Sequence, residues 1–134
     1  MERLAHFPAG EAKASTLKNR PFRERLGFAL AGIARVWRRE RSFRTQVLLG
    51  AGALLTTALL RPGWIWAAAM LLAIGLVLAL ELANAALEYA LDRLHPEIAA
   101  EIGFAKDAAA GAVLAASLAA AGVCAAMLLF AVGR

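Results

Sequence analysis

Residues 64–92 read WIWAAAMLLAIGLVLALELANAALEYALD. Their first seventeen residues, 64–80, carry no charge, and Trp64 and Trp66 open them where an interfacial aromatic belt would lie. The run is long enough to begin a membrane span of about 20 residues. It then continues without a breaker through four polar side chains: Glu81, Asn84, Glu88 and Asp92. Their spacings of 3, 4 and 4 put them at about 0°, 300°, 340° and 20° on a helix turning roughly 100° per residue. They form one narrow stripe. Ionisable groups at membrane depth cost about 2.5–3.5 kcal/mol each on insertion scales and usually face a protein interior or a water-filled cavity. A polar stripe at one end of an apolar span therefore predicts a membrane helix bearing a site.

Two further apolar segments flank this one. Residues 47–60, VLLGAGALLTTALL, are uncharged but short, so the span borrows from Arg44–Gln46, whose long side chains can snorkel. Arg61-Pro62-Gly63 then forces a tight turn. Residues 94–104 read as a polar connection, and 108–132 as a third uncharged span. Upstream, Phe22, Leu26, Ala29, Leu30, Ile33 and Trp37 recur at helical steps, while Arg23, Arg25, Arg35 and Arg38 lie off that face. This is a basic amphipathic helix suited to a membrane surface. Residues 1–20 lack periodicity and read as a mobile basic arm. The opening MERLAHFPAGEAKASTLKNRPF has no continuous apolar core and does not read as a signal peptide.

The predicted fold is thus an all-α membrane protein. A surface helix over 21–40 precedes three transmembrane helices over about 44–60, 64–92 and 106–132, all in one domain spanning 21–134. Composition agrees: AVILMFWYC residues make up 61% of 134, too much for so short a chain to hide from water. One cysteine excludes a disulfide scaffold. Residues 1–46 hold eleven of the fifteen bases and four of the ten acids, leaving six acids to the spans and loops. That asymmetry fits the positive-inside rule better than a nucleic-acid patch, and puts the arm, the surface helix and the 94–104 loop on the cytoplasmic side. Small-xxx-small pairs in the third span, Ala108/Ala112 and Gly111/Ala115, permit close helix approach, and so thin a bundle is expected to self-associate.

The charged residues converge at one level. Glu40 ends the surface helix, and Lys106 and Asp107 begin the third span, at the same end as the Glu81–Asp92 stripe. Clustered carboxylates suit a divalent cation such as Mg²⁺ shared with substrate phosphates. A carboxylate deeper in apolar surroundings suits a general base, because desolvation favours its taking up a proton. His6, His95 and Cys124 give no metal-ligand spacing. Ser117, among alanines in mid-span, reads as a packing or back-bonded serine. There is no P-loop and no GxGxxG after a strand. From the residues alone, an enzyme with an acidic metal site competes with a non-enzymatic assembly or ion-conducting subunit. The apolar outer half of every span favours interfacial chemistry over a pore.

The stretch Glu81-Leu82-Ala83-Asn84-Ala85-Ala86-Leu87-Glu88, then Asp92, then Ala105-Lys106-Asp107, resembles the signature of the prokaryotic integral-membrane diacylglycerol kinase family, which also contains undecaprenol kinases. Glu40-Arg41-Ser42-Phe43-Arg44 looks like that family's acidic-aromatic-basic segment. The run Ala105–Val113 looks closer to the undecaprenol branch. The likeness covers about residues 22–132. It implies an ATP-dependent lipid kinase in the bacterial inner membrane, a homotrimer with active sites near the cytoplasmic surface. The implied acceptor is diacylglycerol, with undecaprenol as the alternative. It further implies Glu81 as catalytic base and Glu40 and Glu88 as metal-bearing, nucleotide-binding acids. Lys106 and Asp107 match the nucleotide-site pair, Glu97 a loop acid, and Asn84 and Asp92 further polar positions of the site. This chain has Ala99 where some members have His, Gln46 where some have Glu, and Pro21 near where some have an Arg.

Overall fold

The computed structural model describes residues 20–94 and 99–133. Four helices make up the fold: α1 (Phe22–Arg39), α2 (Arg41–Leu60), α3 (Trp64–Leu94) and α4 (Ala100–Val132), with no strand among the described residues. The last three are each long and apolar enough to cross a membrane. The expected arm over 1–20 lies almost wholly outside the described residues. The described residues divide into two compact units, with the boundary between Ala34 and Arg35.

In the first unit Pro21 immediately precedes α1, and its carbonyl accepts from the amides of Glu24 and Arg25 at 3.0 and 3.2 Å. Proline suits this place because it lacks only a donor the helix start would leave idle. Arg20 pairs with Glu24 at 2.9 Å and lies over the Phe28 ring. Phe22, Leu26, Leu30 and Ile33, the expected apolar face, are all exposed.

In the second unit α3 packs against both α2 and α4. The rings of Trp66 and Phe130 meet at one end, 5.5 Å apart, and Lys106 pairs with Asp92 at the other, so α3 and α4 run antiparallel. Arg61 closes α2 in the left-handed region (φ 47°), its amide bonded to Thr57 O at 3.0 Å. Gly63 follows at φ 118°, which a side chain rarely adopts. The turn therefore falls where Arg61-Pro62-Gly63 predicts it. Met70 and Met127 are fully buried, and the Thr57 hydroxyl sits 2.8 Å from Ala53 O and 3.2 Å from Met127 Sδ. Beyond these, large apolar side chains face outward: Leu72 is 75% and Leu129 77% exposed. That inversion is stable only in an apolar solvent, and it fits a membrane protein.

Three expectations are corrected. α4 begins at Ala100 rather than near 106, so much of the segment read as a polar connection is helix. Its polar character comes from Glu101, and an acid in the first turn favours a helix start. α2 likewise begins at Arg41 rather than 44. Arg44 does not simply snorkel: its Nη1 donates to the carbonyls of Trp37 and Arg38 at 3.0 and 3.2 Å, covering otherwise unpaired oxygens at the end of α1. Finally, Ala108, Gly111, Ala112 and Ala115 lie at exposed positions of α4. A close approach occurs at Gly50, where an added Cβ would lie 2.8 Å from Ile74 Cγ2.

Candidate active site

Glu81 lies midway along α3 and is only 5% exposed. The helical run from Trp64 carries it inward, and the first turn of α2 meets it there: Ser42 Oγ donates to Glu81 Oε2 at 3.4 Å. Glu40 and Glu88 are close enough for their charges to act on the Glu81 carboxyl. Glu81 thus has two other carboxylates within electrostatic reach.

Glu40 occupies the break between α1 and α2. Its backbone is extended (φ −95°, ψ 116°), and its side chain makes no capping bond to α2. The carboxylate instead accepts from the Tyr89 hydroxyl at 2.5 Å, and the Arg39 guanidinium lies 5.8 Å from the centre of that tyrosine ring. Val36, Phe43 and Ala85 form a small core here, against which Val47, Leu78, Leu82 and Tyr89 pack. This core fixes the α1–α2 corner on α3 and so holds Glu40 opposite the stripe.

Asn84 and Glu88 lie one turn apart on α3, and Asn84 Nδ2 donates to Glu88 Oε1 at 3.1 Å. Asn84 Oδ1 is buried without a hydrogen-bond partner among the described residues. An unpaired buried carbonyl is costly and points to a donor that arrives from outside the chain. Lys106 Nζ pairs with Asp92 Oδ1. Asp107 is exposed in α4 beside it. Glu81 and Asp92 are eleven residues apart, about 16 Å along the helix. The polar row therefore runs from a buried carboxylate to an exposed ion pair. Glu97, the expected loop acid, lies outside the described residues, as does His95.

A cleft of about 380 Å³ opens on the buried end of this row, lined among others by Ser42, Gln46, Glu81, Asn84, Ala110 and Ser117. Ser117 was expected to pack or to bond back to its own helix. It accepts instead from Gln46 Nε2 at 3.1 Å, across 71 residues of sequence. Ser42, Gln46, Ser117 and Tyr89 are the site residues that sequence spacing does not assign. Each acts through a partner on a different segment of the chain, so no periodicity within its own segment could reveal it.

Among the described residues no group of three or more His, Cys, Asp or Glu is arranged to hold a metal ion. Mg²⁺, however, is typically bound by one or two carboxylates plus waters and substrate phosphates. Glu40 and Glu88 are the carboxylates that would meet that need. Each has one oxygen committed, to Tyr89 and to Asn84 respectively, so each retains a second hard oxygen for a cation.

The sequence matches the family described as prokaryotic diacylglycerol kinase over residues 27–128. It is also 37% identical over 94 residues to a diacylglycerol kinase of Synechocystis sp., an overlap of 69% of this chain and 54% of that relative. The chain thus spans about half the length of the curated relative it matches.

Proposed function

The chain belongs to the prokaryotic diacylglycerol kinase family, and on that premise we propose that it is an ATP-dependent kinase of a membrane lipid alcohol. The observation that carries the reading is Glu81, a buried carboxylate facing a cleft that it shares with Ser42, Asn84 and Ser117 at the flank of an apolar helix unit. A general base that must act on a lipid hydroxyl needs this position: reachable sideways from the bilayer, yet beside charged groups that handle phosphate.

In the proposed reaction the lipid hydroxyl oxygen attacks the γ-phosphorus of ATP. The new bond is lipid O–P, the bond that breaks joins the γ-phosphorus to the β,γ-bridging oxygen, and ADP leaves. Glu81 accepts the hydroxyl proton, and Asn84, bonded to Glu88, belongs to the polar row beside it. Glu40 and Glu88 would hold Mg²⁺, which supplies charge neutralisation to the phosphates when bound. Lys106, Asp92 and Asp107 serve the nucleotide further along the row, whose length of about 16 Å suits an extended nucleotide with its terminal phosphate toward Glu81. Phosphoryl transfer depends mostly on positioning and electrostatics, so few side chains suffice.

The preferred acceptor is diacylglycerol, giving phosphatidic acid. Undecaprenol is the second reading, favoured by the run Ala105–Val113. The charge asymmetry supports an inner-membrane protein with its site on the cytoplasmic side. The outward-facing small residues of α4 support self-association, with a homotrimer as the family-based expectation. A non-enzymatic conducting subunit would need polar groups through the full span, and α3 is apolar from Trp64 to Leu80. The test is transfer from labelled ATP with Mg²⁺ in mixed micelles, with Glu81→Gln as the blank. Transfer to a lipid alcohol by the wild type alone is expected. A folded protein that binds no ATP would overturn the reading.

A further inference from the structure

Two cavities meet at one hydrogen bond. Gln46 and Ser117 line the cleft that holds Glu81 and Asn84. The same two residues line a second, partly open cavity of about 340 Å³ lined by α2, α3 and α4, whose other walls include Leu49, Met70, Ile74, Val77 and Cys124. That volume lies in the range of about 300–1,000 Å³ usual for ligand sites. Apart from Gln46 and Ser117 its lining is apolar, small or sulfur-bearing.

The registers place this pair at the level of the reacting group. Lys106 pairs with Asp92. Ser117 is eleven residues beyond Lys106 on α4, and Glu81 eleven residues before Asp92 on the antiparallel α3. Both therefore lie about 16 Å from the ion pair along their axes. Ser42 reaches Glu81 and Gln46 reaches Ser117 from successive turns of α2.

The pair has hydrogen-bonding capacity to spare. Ser117 Oγ accepts from Gln46 Nε2, which leaves the hydroxyl proton without an acceptor among the described residues. Thr45, Thr56 and Thr57 all bond back to the carbonyl four residues before them, and Ser117 makes no such bond. The amide of Gln46 carries a second N–H as well. Two donors thus stand beside the site of proton abstraction, at the mouth of an apolar cavity.

We propose that Gln46 and Ser117 form a second polar subsite that donates hydrogen bonds to an ester carbonyl of the lipid alcohol, while an acyl chain of that lipid occupies the apolar cavity beyond. The proposal rests on the lipid-kinase reading and names its substrate class as a glycerolipid ester. In such a lipid the ester carbonyls lie a few bonds from the free hydroxyl, so one molecule can present its hydroxyl to Glu81 and a carbonyl to Ser117. A polyprenol offers hydrocarbon at that position and would leave both donors unpaired. A site built to hydrogen-bond one group rejects an analogue lacking it far better than an apolar pocket rejects an extra methylene.

The test uses the full chain in mixed micelles with three acceptors: a diacylglycerol, the dialkyl ether analogue of equal chain length, and undecaprenol. In the wild type kcat/KM for the diester exceeds that for the diether by about tenfold or more. Ser117→Ala and Gln46→Met each collapse that ratio toward one, and Ser117→Thr, which keeps a hydroxyl, restores it. Equal wild-type rates on ester and ether, or a ratio that survives both substitutions, overturns the subsite. A wild-type preference for undecaprenol also overturns it while leaving the kinase reading intact. Transfer to none of the three removes the kinase reading and the subsite with it.

Discussion

Replacing Glu81 by glutamine separates a catalytic role from a structural one, because the surroundings predict opposite effects on the two. Glutamine has the same shape, and its amide oxygen can still accept from Ser42, which lies 3.4 Å from Glu81 Oε2. The side chain is 5% exposed, and Glu40 and Glu88 are its charged neighbours. A neutral amide there removes a buried charge and two like-charge repulsions. Glu81→Gln is therefore expected to unfold in detergent at the same temperature as the wild type or higher. Activity should move the other way. A positioned general base contributes about 10²–10⁴ in rate, equal to about 2.7–5.4 kcal/mol of barrier at 1.36 kcal/mol per tenfold. kcat should fall by that factor, with KM for ATP within a few fold, since Glu40, Glu88 and Lys106 are untouched. Steady-state kinetics on the micellar substrate, paired with thermal unfolding followed by circular dichroism, reads both. A kcat within tenfold of the wild type would refute the base assignment. Loss of activity together with loss of helical structure would refute the claim that the charge is held for chemistry.

Further outcomes follow from other contacts. Tyr89→Phe removes the hydroxyl that holds Glu40, so half-saturation by Mg²⁺ should move to higher concentration with little change in maximal rate. Mn²⁺ binding followed by paramagnetic resonance checks it without turnover. Glu88→Gln should shift the same titration, and an unchanged curve would remove Glu88 from the cation site. Lys106→Met breaks an ion pair with an exposed Asp92. Such pairs contribute little to stability, so KM for ATP should rise while the unfolding temperature stays put. Gly50→Ala places a Cβ 2.8 Å from Ile74 Cγ2, and overpacking of about 1–3 kcal/mol should outweigh a helix-propensity gain of about 1 kcal/mol. Gly52→Ala meets nothing within 4 Å and should be neutral or stabilising in the same unfolding assay.

The helices were legible because a bilayer imposes length and polarity on any segment that crosses it. An uncharged run, a Pro-Gly turn and a flanking tryptophan pair are local facts, and α3 begins at Trp64 as they require. The acidic stripe was legible for the same reason, since Glu81, Asn84, Glu88 and Asp92 share one helix and one period. Boundaries were less so. Residues 94–104 read as a polar connection, but Glu101 sits in a first helical turn, where an acid is also favourable.

The sequence by itself determined an all-helical membrane chain with a line of carboxylates at one end, because hydropathy and helical period act within a segment. Only the tertiary structure decided what that line faces. Ser42 reaches Glu81 across 39 residues, Tyr89 reaches Glu40 across 49, and Gln46 reaches Ser117 across 71. These pairs depend on the relative register of separate helices, which is set by packing at points such as Phe43–Ala85 and Gly50–Ile74. Register is a property of the assembled interface, so a lone serine among alanines carries no mark of it until another helix is placed alongside.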